Sequence, residues 1–401
     1  MSTKSWLSRM AQTACLTLAH PFRPFFLLTG VYGALTIMAW MGLLFGGIAL
    51  PLGWSPVHWH SHEMLLGLIP AAIAGFLLTA ICNWTGAAPL RGWGLLVLIT
   101  IWLAGRVAMW TASWWPAGVV AVIDLLFLPV MAAYMARVLL VHGNKRNLPI
   151  AGILLLLSLA NVMMHIGFVA GATRWLKHGE LMALGLVMLM MVVIGGRIIP
   201  LFTANWLRKH GDQADAVKSF ATLDRAALIA TILIIPCDFI TGTPWLTGVM
   251  ALLAGALNAV RLLGWSGWRA AREPLLWILH LGYGWIVFAL LLKSAAAFNL
   301  VAPTAWQHAL GAGAMATLIL GVMTRVALGH TGRPLTMPQF GIVIYVAITL
   351  AALARVLVAL QLLDYRAGLL LAAVSWTLAF GVFVLIYWPI LTRPRADGRP
   401  G

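Results

Sequence analysis

Long apolar runs, each parted from the next by a few polar or turn-forming residues, fill this chain from about residue 25 to residue 391. A run of about 20 apolar residues is long enough to cross a bilayer as a helix. Twelve can be counted, at 25–50, 62–82, 92–113, 117–140, 148–171, 180–206, 220–241, 245–263, 274–296, 304–328, 338–361 and 366–391. The linkers are short, so no soluble domain is appended and residues 1–401 read as a single integral membrane domain. Only a helix satisfies its own backbone hydrogen bonds in hydrocarbon, whereas an open strand cannot. The expected fold is an all-α, polytopic transmembrane helical bundle of about twelve helices.

Composition agrees with this. Hydrophobic residues make up 62% of the chain and charged residues 9%, where a soluble domain carries about 25% charged residues. The net charge of +16 raises nucleic acid as a partner, but the placing of the charges gives a different account. With the N-terminus in the cytoplasm, the loops on that side hold nineteen Lys and Arg residues, from Lys4, Arg9 and Arg23 to Arg393, Arg395 and Arg399. The opposite side keeps only Arg174, Lys177, Lys293 and Arg366. That is the positive-inside bias, and it puts both termini in the cytoplasm. The lipid bilayer is then the expected partner and nucleic acid is not.

No signal peptide is evident, because the stretch after Lys4 and Arg9 is polar and is broken by Pro21 and Pro24 before the first long apolar run. Cys15, Cys82 and Cys237 stand singly without CxxC spacing, which points away from a disulfide framework and from a thiolate metal site.

The topology gives each histidine a depth. His58, His60 and His62 open the second run on the non-cytoplasmic side, His165 lies near that end of the fifth, and His308 starts the tenth. At the cytoplasmic ends are His20, His280 and His330, whereas His142, His178 and His210 read as loop residues. A single histidine near a helix end is commonly an interfacial residue or a partner for a backbone carbonyl. Five at one depth instead suggest ligation, since neutral imidazole is the commonest side-chain metal ligand and can also take the axial positions of a haem. His58 and His62 fall on one helix face and His60 on another. Ser55 followed by Pro56 is a helix start that keeps them divided.

The second and tenth runs resemble each other. His62 and His308 are each followed by Gly at +5 and +13 and by Thr-Gly at +23 and +24, namely Gly67 and Gly313, Gly75 and Gly321, Thr85-Gly86 and Thr331-Gly332. If this is an internal repeat, the two histidines are counterparts. Gly311 and Ala312 leave the helix face beside His308 bare enough for a flat macrocycle, though small residues at such spacing also bring helices together. Arg23, Arg197, Arg325 and Arg333 gather with helix breakers near the cytoplasmic histidines, where their forks suit haem propionates, an anionic substrate or lipid head groups. Arg106 and Asp124, at matching depth on consecutive runs, read as a structural ion pair. Glu63 could carry protons, orient the neighbouring imidazole, or cap a helix.

The stretches "HPFRPFFLL", "WHSHEMLLG", "AGFLLTAICNWTG", "IGGRIIPLFTANW", "PLLWILHLGYGW" and "GVMTRVALGHTGRPL", in this order from His20 to about Pro334, resemble the signature stretches of the NnrS family. The resemblance implies a bacterial inner-membrane protein of about twelve helices that carries haem and copper and is tied to nitric-oxide metabolism, nitrosative stress and denitrification. It lends emphasis to His20, Arg23, His60, His62, Glu63, Asn83, Arg197, Asn205, His280, His308, Arg325, His330 and Arg333, and none to His58.

The expectation is thus a haem b protein, with copper as a further metal, that binds nitric oxide or another small gas at a histidine-ligated site and converts, senses or sequesters it. His62 and His308 are the first haem candidates, followed by His165 and His60, with Arg23, Arg197, Arg325 and Arg333 for the propionates. His20, His280 and His330 are the candidates for a second metal or haem. No flavin, nicotinamide or iron-sulfur motif is visible, so reduction of the gas would need an outside electron donor. A twelve-helix transporter of a metal or anion, with an interrupted helix at Gly195-Gly196 and Pro200, and a quinol-linked membrane cytochrome are the competing readings.

Overall fold

The computed structural model describes residues 16–212, 214–240 and 243–399, and every regular element among them is helical. Lys4, Arg9 and Cys15 lie outside the described residues. Among the described residues, twelve long helices follow the twelve apolar runs: α1 (Phe22–Phe45), α2 (Pro56–Thr85), α3 (Gly92–Trp110), α4 (Ala117–Val141), α5 (Leu148–Val169), α6 (Thr173–Lys209), α7 (Ala221–Cys237), α8 (Pro244–Gly264), α9 (Pro274–Ala297), α10 (Pro303–His330), α11 (Ile342–Ala359) and α12 (Tyr365–Thr392). Eleven are long and apolar enough to cross a membrane, and α7, at 17 residues, falls just short. The chain is a multi-pass membrane protein.

Local chemistry sets the helix ends. α1 opens at Phe22, earlier than expected, because Pro24 lies in its first turn, where a missing N–H forfeits no hydrogen bond. The prolines read as holding the chain out of a helix therefore start one. α1 closes before Gly46 and Gly47, the latter at a φ of 64°. α2 begins as Ser55-Pro56 suggests: the Ser55 side chain accepts from the His58 backbone N–H, and Pro56 takes the first position.

The expected interruption of α6 is absent. This helix runs unbroken for 37 residues through Gly195, Gly196 and Pro200. A β-carbon at Gly195 would press on Tyr283 and one at Gly196 on Arg261, so these glycines permit close packing and do not form a break.

The true irregularities lie in α2 and α10. A π-helical segment, Glu63–Leu68, follows directly on His62, and another, Ala309–Met315, follows directly on His308. A π turn widens the helix by one residue, re-aims the side chains beside it, and is common at functional sites. In α2, Trp102 Nε1 donates to the Gly67 carbonyl of this turn at 2.9 Å. The two helices also end alike. Thr85 and Thr331 each donate a hydroxyl to the carbonyl four residues back, at 2.7 and 2.6 Å, and Gly86 and Gly332 follow at φ of 74° and 68°. Gly75 lies against Phe25 and Phe26, and Gly321 against Ile278 and Leu279. The internal likeness seen in the sequence is therefore also a likeness of backbone.

The helices group into two compact units. One holds residues 16–183, Met323–Leu335 and residues 380–399; the other holds Leu184–Val322 and Thr336–Ala379. In the first, α1 packs on α2, α3 on α4, and α4 on α2 and α5. In the second, α8 packs on α7 and α9, and α10 on α9 and α11.

Candidate metal centre

The chemistry of the first unit concentrates where the π turn of α2 meets α3, α4 and α5. His62 and Glu63, on either side of the start of that turn, are both fully buried. His62 Nδ1 lies 2.9 Å from Glu63 Oε1, and His62 Nε2 lies 3.1 Å from Asp124 Oδ2 and 2.9 Å from Asn161 Oδ1. Asn161 Nδ2 donates to Asp124 Oδ2 at 2.8 Å, and His165 Nε2 lies 3.0 Å from the same oxygen. Asn161 and His165 are one turn apart on α5 and so present one face. Arg106 on α3 bridges the two acids, donating through Nη1 to Glu63 and through Nη2 to Asp124. Tyr32 on α1 donates to the other Glu63 oxygen and accepts from Trp110 Nε1 at 2.8 Å. Trp54, 5% exposed, covers the histidines with ring centroids 5.2 Å from His62 and 5.3 Å from His165.

Two counts show what this arrangement calls for. His62 faces acceptors at both ring nitrogens, yet a neutral imidazole carries one N–H. One nitrogen therefore needs an added cation, a proton or a metal ion. Glu63 and Asp124 as carboxylates against Arg106 leave one negative charge unmatched, and burying an uncompensated charge costs several kcal/mol. A cation beside Asp124 offsets it.

Ligand atoms of His62, Asp124 and His165 all lie within 4.8 Å of one another. Ligands about 2.0–2.2 Å from a single ion stand roughly 3–3.5 Å apart, close to the 3.0 and 3.1 Å separations between each imidazole and the Asp124 carboxylate. Two imidazoles and one carboxylate are the donor set of non-haem iron sites, and imidazole equally suits copper and zinc. The residues fit a single ion. A macrocycle on His62 Nε2 would have to displace both Asp124 and Asn161, so the haem considered for His62 does not fit this geometry.

His60 stacks on Trp40, with centroids 4.5 Å apart and planes at 11°, away from the centre. His20 and His330 both lie against the Phe22 ring, with centroids 5.9 and 5.5 Å from it. Burial pushes the His20 imidazole down to about 4, helped by His330, Arg23, Arg395 and Arg91. Arg23 is buried and donates to the Leu391 and Arg393 carbonyls at 2.6 and 2.9 Å, satisfying the end of α12. Arg333 Nη1 reaches the Thr331 carbonyl at 3.4 Å. Arg325 is buried on α10, and Arg197 is exposed on α6.

His280 and His308 belong to the second unit. His280 Nε2 lies 2.9 Å from Thr203 Oγ1. The trio His20, His280 and His330 is thus divided between the units. His308 Nδ1 lies 2.7 Å from the Thr304 carbonyl, an orientation that directs Nε2 away from the helix backbone. A β-carbon at the neighbouring Gly311 would meet nothing within 4 Å, so that helix face is bare.

The sequence reading reached His62, His165 and Glu63, and paired Arg106 with Asp124, but it did not join that pair to the histidines. Two signals could have done so: Asp124 is the only acid of α4, and Asn161 and His165 share i, i+4 spacing in an otherwise apolar run.

Fold and site together define a polytopic helical membrane protein with a buried His/Asp centre in one of its two units. The family model of the NnrS protein matches residues 17–395, nearly the whole chain, and the chain belongs to the NnrS family. No curated protein matches it closely enough to count as a relative.

Proposed function

We propose that this NnrS family member holds a copper or non-haem iron ion at His62, Asp124 and His165 and uses it to bind nitric oxide arriving through the bilayer of the bacterial inner membrane. The observation that carries this reading is the buried meeting of two imidazoles and a carboxylate within ligand distance of one another. When bound, such an ion supplies a one-electron redox centre with affinity for small gases. The protein's own groups prepare the place. Arg106 and Glu63 hold Asp124 and His62 in position, the Asn161 amide fixes the carboxylate oxygen that both histidines face, and Trp54 keeps water away. Haem b is assigned to the second unit, where His308 has an oriented ring and an open helix face, and electrons come from a separate donor.

Metal analysis and optical spectra of the detergent-purified protein, with and without nitric oxide, test this. A single copper or iron ion per chain, absent from Asp124→Asn and His165→Ala, together with a spectrum altered by nitric oxide, is the expected result. Metal content unchanged in both variants would overturn the assignment of the centre. A Soret band that survives in those variants and disappears in His308→Ala would place the haem.

A further inference from the structure

A metal ion bound for a fully buried triad must shed its water and pass the apolar wall that Trp54 helps to form. The structure offers it a stopping place one helical turn away. His58 precedes His62 by four residues on α2, about 6 Å along the axis and on the same face. Its Nδ1 lies 3.1 Å from Glu180 Oε1, and the Ser61 hydroxyl donates to the same carboxylate. These side chains are partly open, 34% exposed for His58 and 19% for Glu180, whereas those of His62 and Asp124 are 0% exposed.

Glu180 is the only acid of α6. It follows Gly179, where the helix closes on Ala160 and Met164 of α5, the immediate neighbours of Asn161 and His165. The pair of helices that carries His58 and Glu180 thus touches the turns that carry the buried ligands. One imidazole and one carboxylate leave the remaining positions of an ion to water, a set suited to brief holding where the deeper triad, with three protein ligands and no exposure, is suited to retention.

From this placement we infer that His58 and Glu180 form a capture site for a divalent transition-metal ion, which passes it to His62, Asp124 and His165. The inference rests on the reading of the buried centre given above. His58 lies outside the motif residues that the family resemblance emphasises.

The test is the rate of loading. Metal-stripped full-length protein in detergent is mixed rapidly with Co2+, filling is followed by the ion's visible absorption, and the end point is read by metal analysis. His58→Ala and Glu180→Gln should fill about 10-fold or more slowly, to the same final occupancy as the wild type. Glu180→Gln keeps the side-chain shape and so guards against a folding defect in His58→Ala. If the wild type fills and both variants fill at its rate, the capture site is overturned while the buried centre stands. If the wild type takes up no Co2+, the buried centre falls and the capture site with it.

Discussion

α2 and α10 use the same backbone device for different ends. Each opens with a short α-helical segment closed by a histidine, continues through a π turn, and finishes in Thr-Gly. Around the α2 turn stand Arg106, Asp124, Asn161 and His165, and a tryptophan that hydrogen-bonds the widened turn. Around the α10 turn the matching glycine, Gly313, lies under the Trp285 ring, whose Nε1 has no hydrogen-bond partner among the described residues. That unit carries its ion pairs elsewhere, Arg261 with Asp224 at 2.6 Å and Lys293 with Asp238 at 2.9 Å among them, with Lys293 Nζ 3.9 Å from the centre of the Trp306 ring. A π turn therefore opens a place in a helix, and the neighbouring helices decide whether that place becomes a polar centre.

The largest test of this contrast removes one acid from each unit. Asp124→Ala leaves Arg106 and two imidazoles without their shared carboxylate and should cost about 3–5 kcal/mol, as breaking a buried ion pair does, with the bound metal lost. Asp238→Ala strands Lys293 and should destabilise by a similar amount, but metal content should be untouched. Thermal unfolding and metal analysis of both variants would show it. A fall in metal for Asp238→Ala would break the comparison.

The two tryptophans give the next effect. Trp102→Phe leaves the Gly67 carbonyl of the π turn unsatisfied, at about 1–3 kcal/mol. Trp285→Phe leaves a similar cavity but forfeits no hydrogen bond among the described residues, so it should destabilise less than Trp102→Phe by about that 1–3 kcal/mol. Equal losses of unfolding temperature would mean that the bond to the turn is not what separates them.

Smaller again is His308→Ala. The half-buried ring meets the Thr304 carbonyl, and loss of that contact should cost about 0.5–1.5 kcal/mol, well under the cost of losing Asp124. Circular dichroism melts would detect a larger loss, and such a loss would put His308 in a network as deep as that of His62.

A further effect is a dependence on pH. His20 titrates near 6.5 when unfolded and is pushed down to about 4 in the folded chain, chiefly by burial. The folded state then binds fewer protons between these values. Its contribution is full above 6.5 and is lost as pH falls toward 4. Unfolding temperatures at pH 7 and pH 5 should differ less in His20→Gln than in the parent; an identical difference would clear His20 of any part in it.

Much of this molecule was legible from periodicity and spacing. Apolar runs parted by short polar linkers specify helices in a bilayer whatever their neighbours, because the backbone has no other way to satisfy itself there. Ser55-Pro56 marks a helix start by purely local chemistry, and the recurring glycines marked α2 and α10 as related. The error at Gly195, Gly196 and Pro200 shows the limit of such reading, since a glycine reads alike whether it loosens a helix or admits a neighbour, and only Tyr283 and Arg261 settle which.

The centre lay beyond that limit for the same reason. Residue type and depth in the sequence were enough to single out His62 and His165 and to pair Arg106 with Asp124. That these four meet depends on how α2, α3, α4 and α5 are rotated and packed, and on a π turn that no residue announces. Helix identity is a property of each segment and can be read from it. Ligand distance is a property of side chains far apart in the chain, and only tertiary packing sets it.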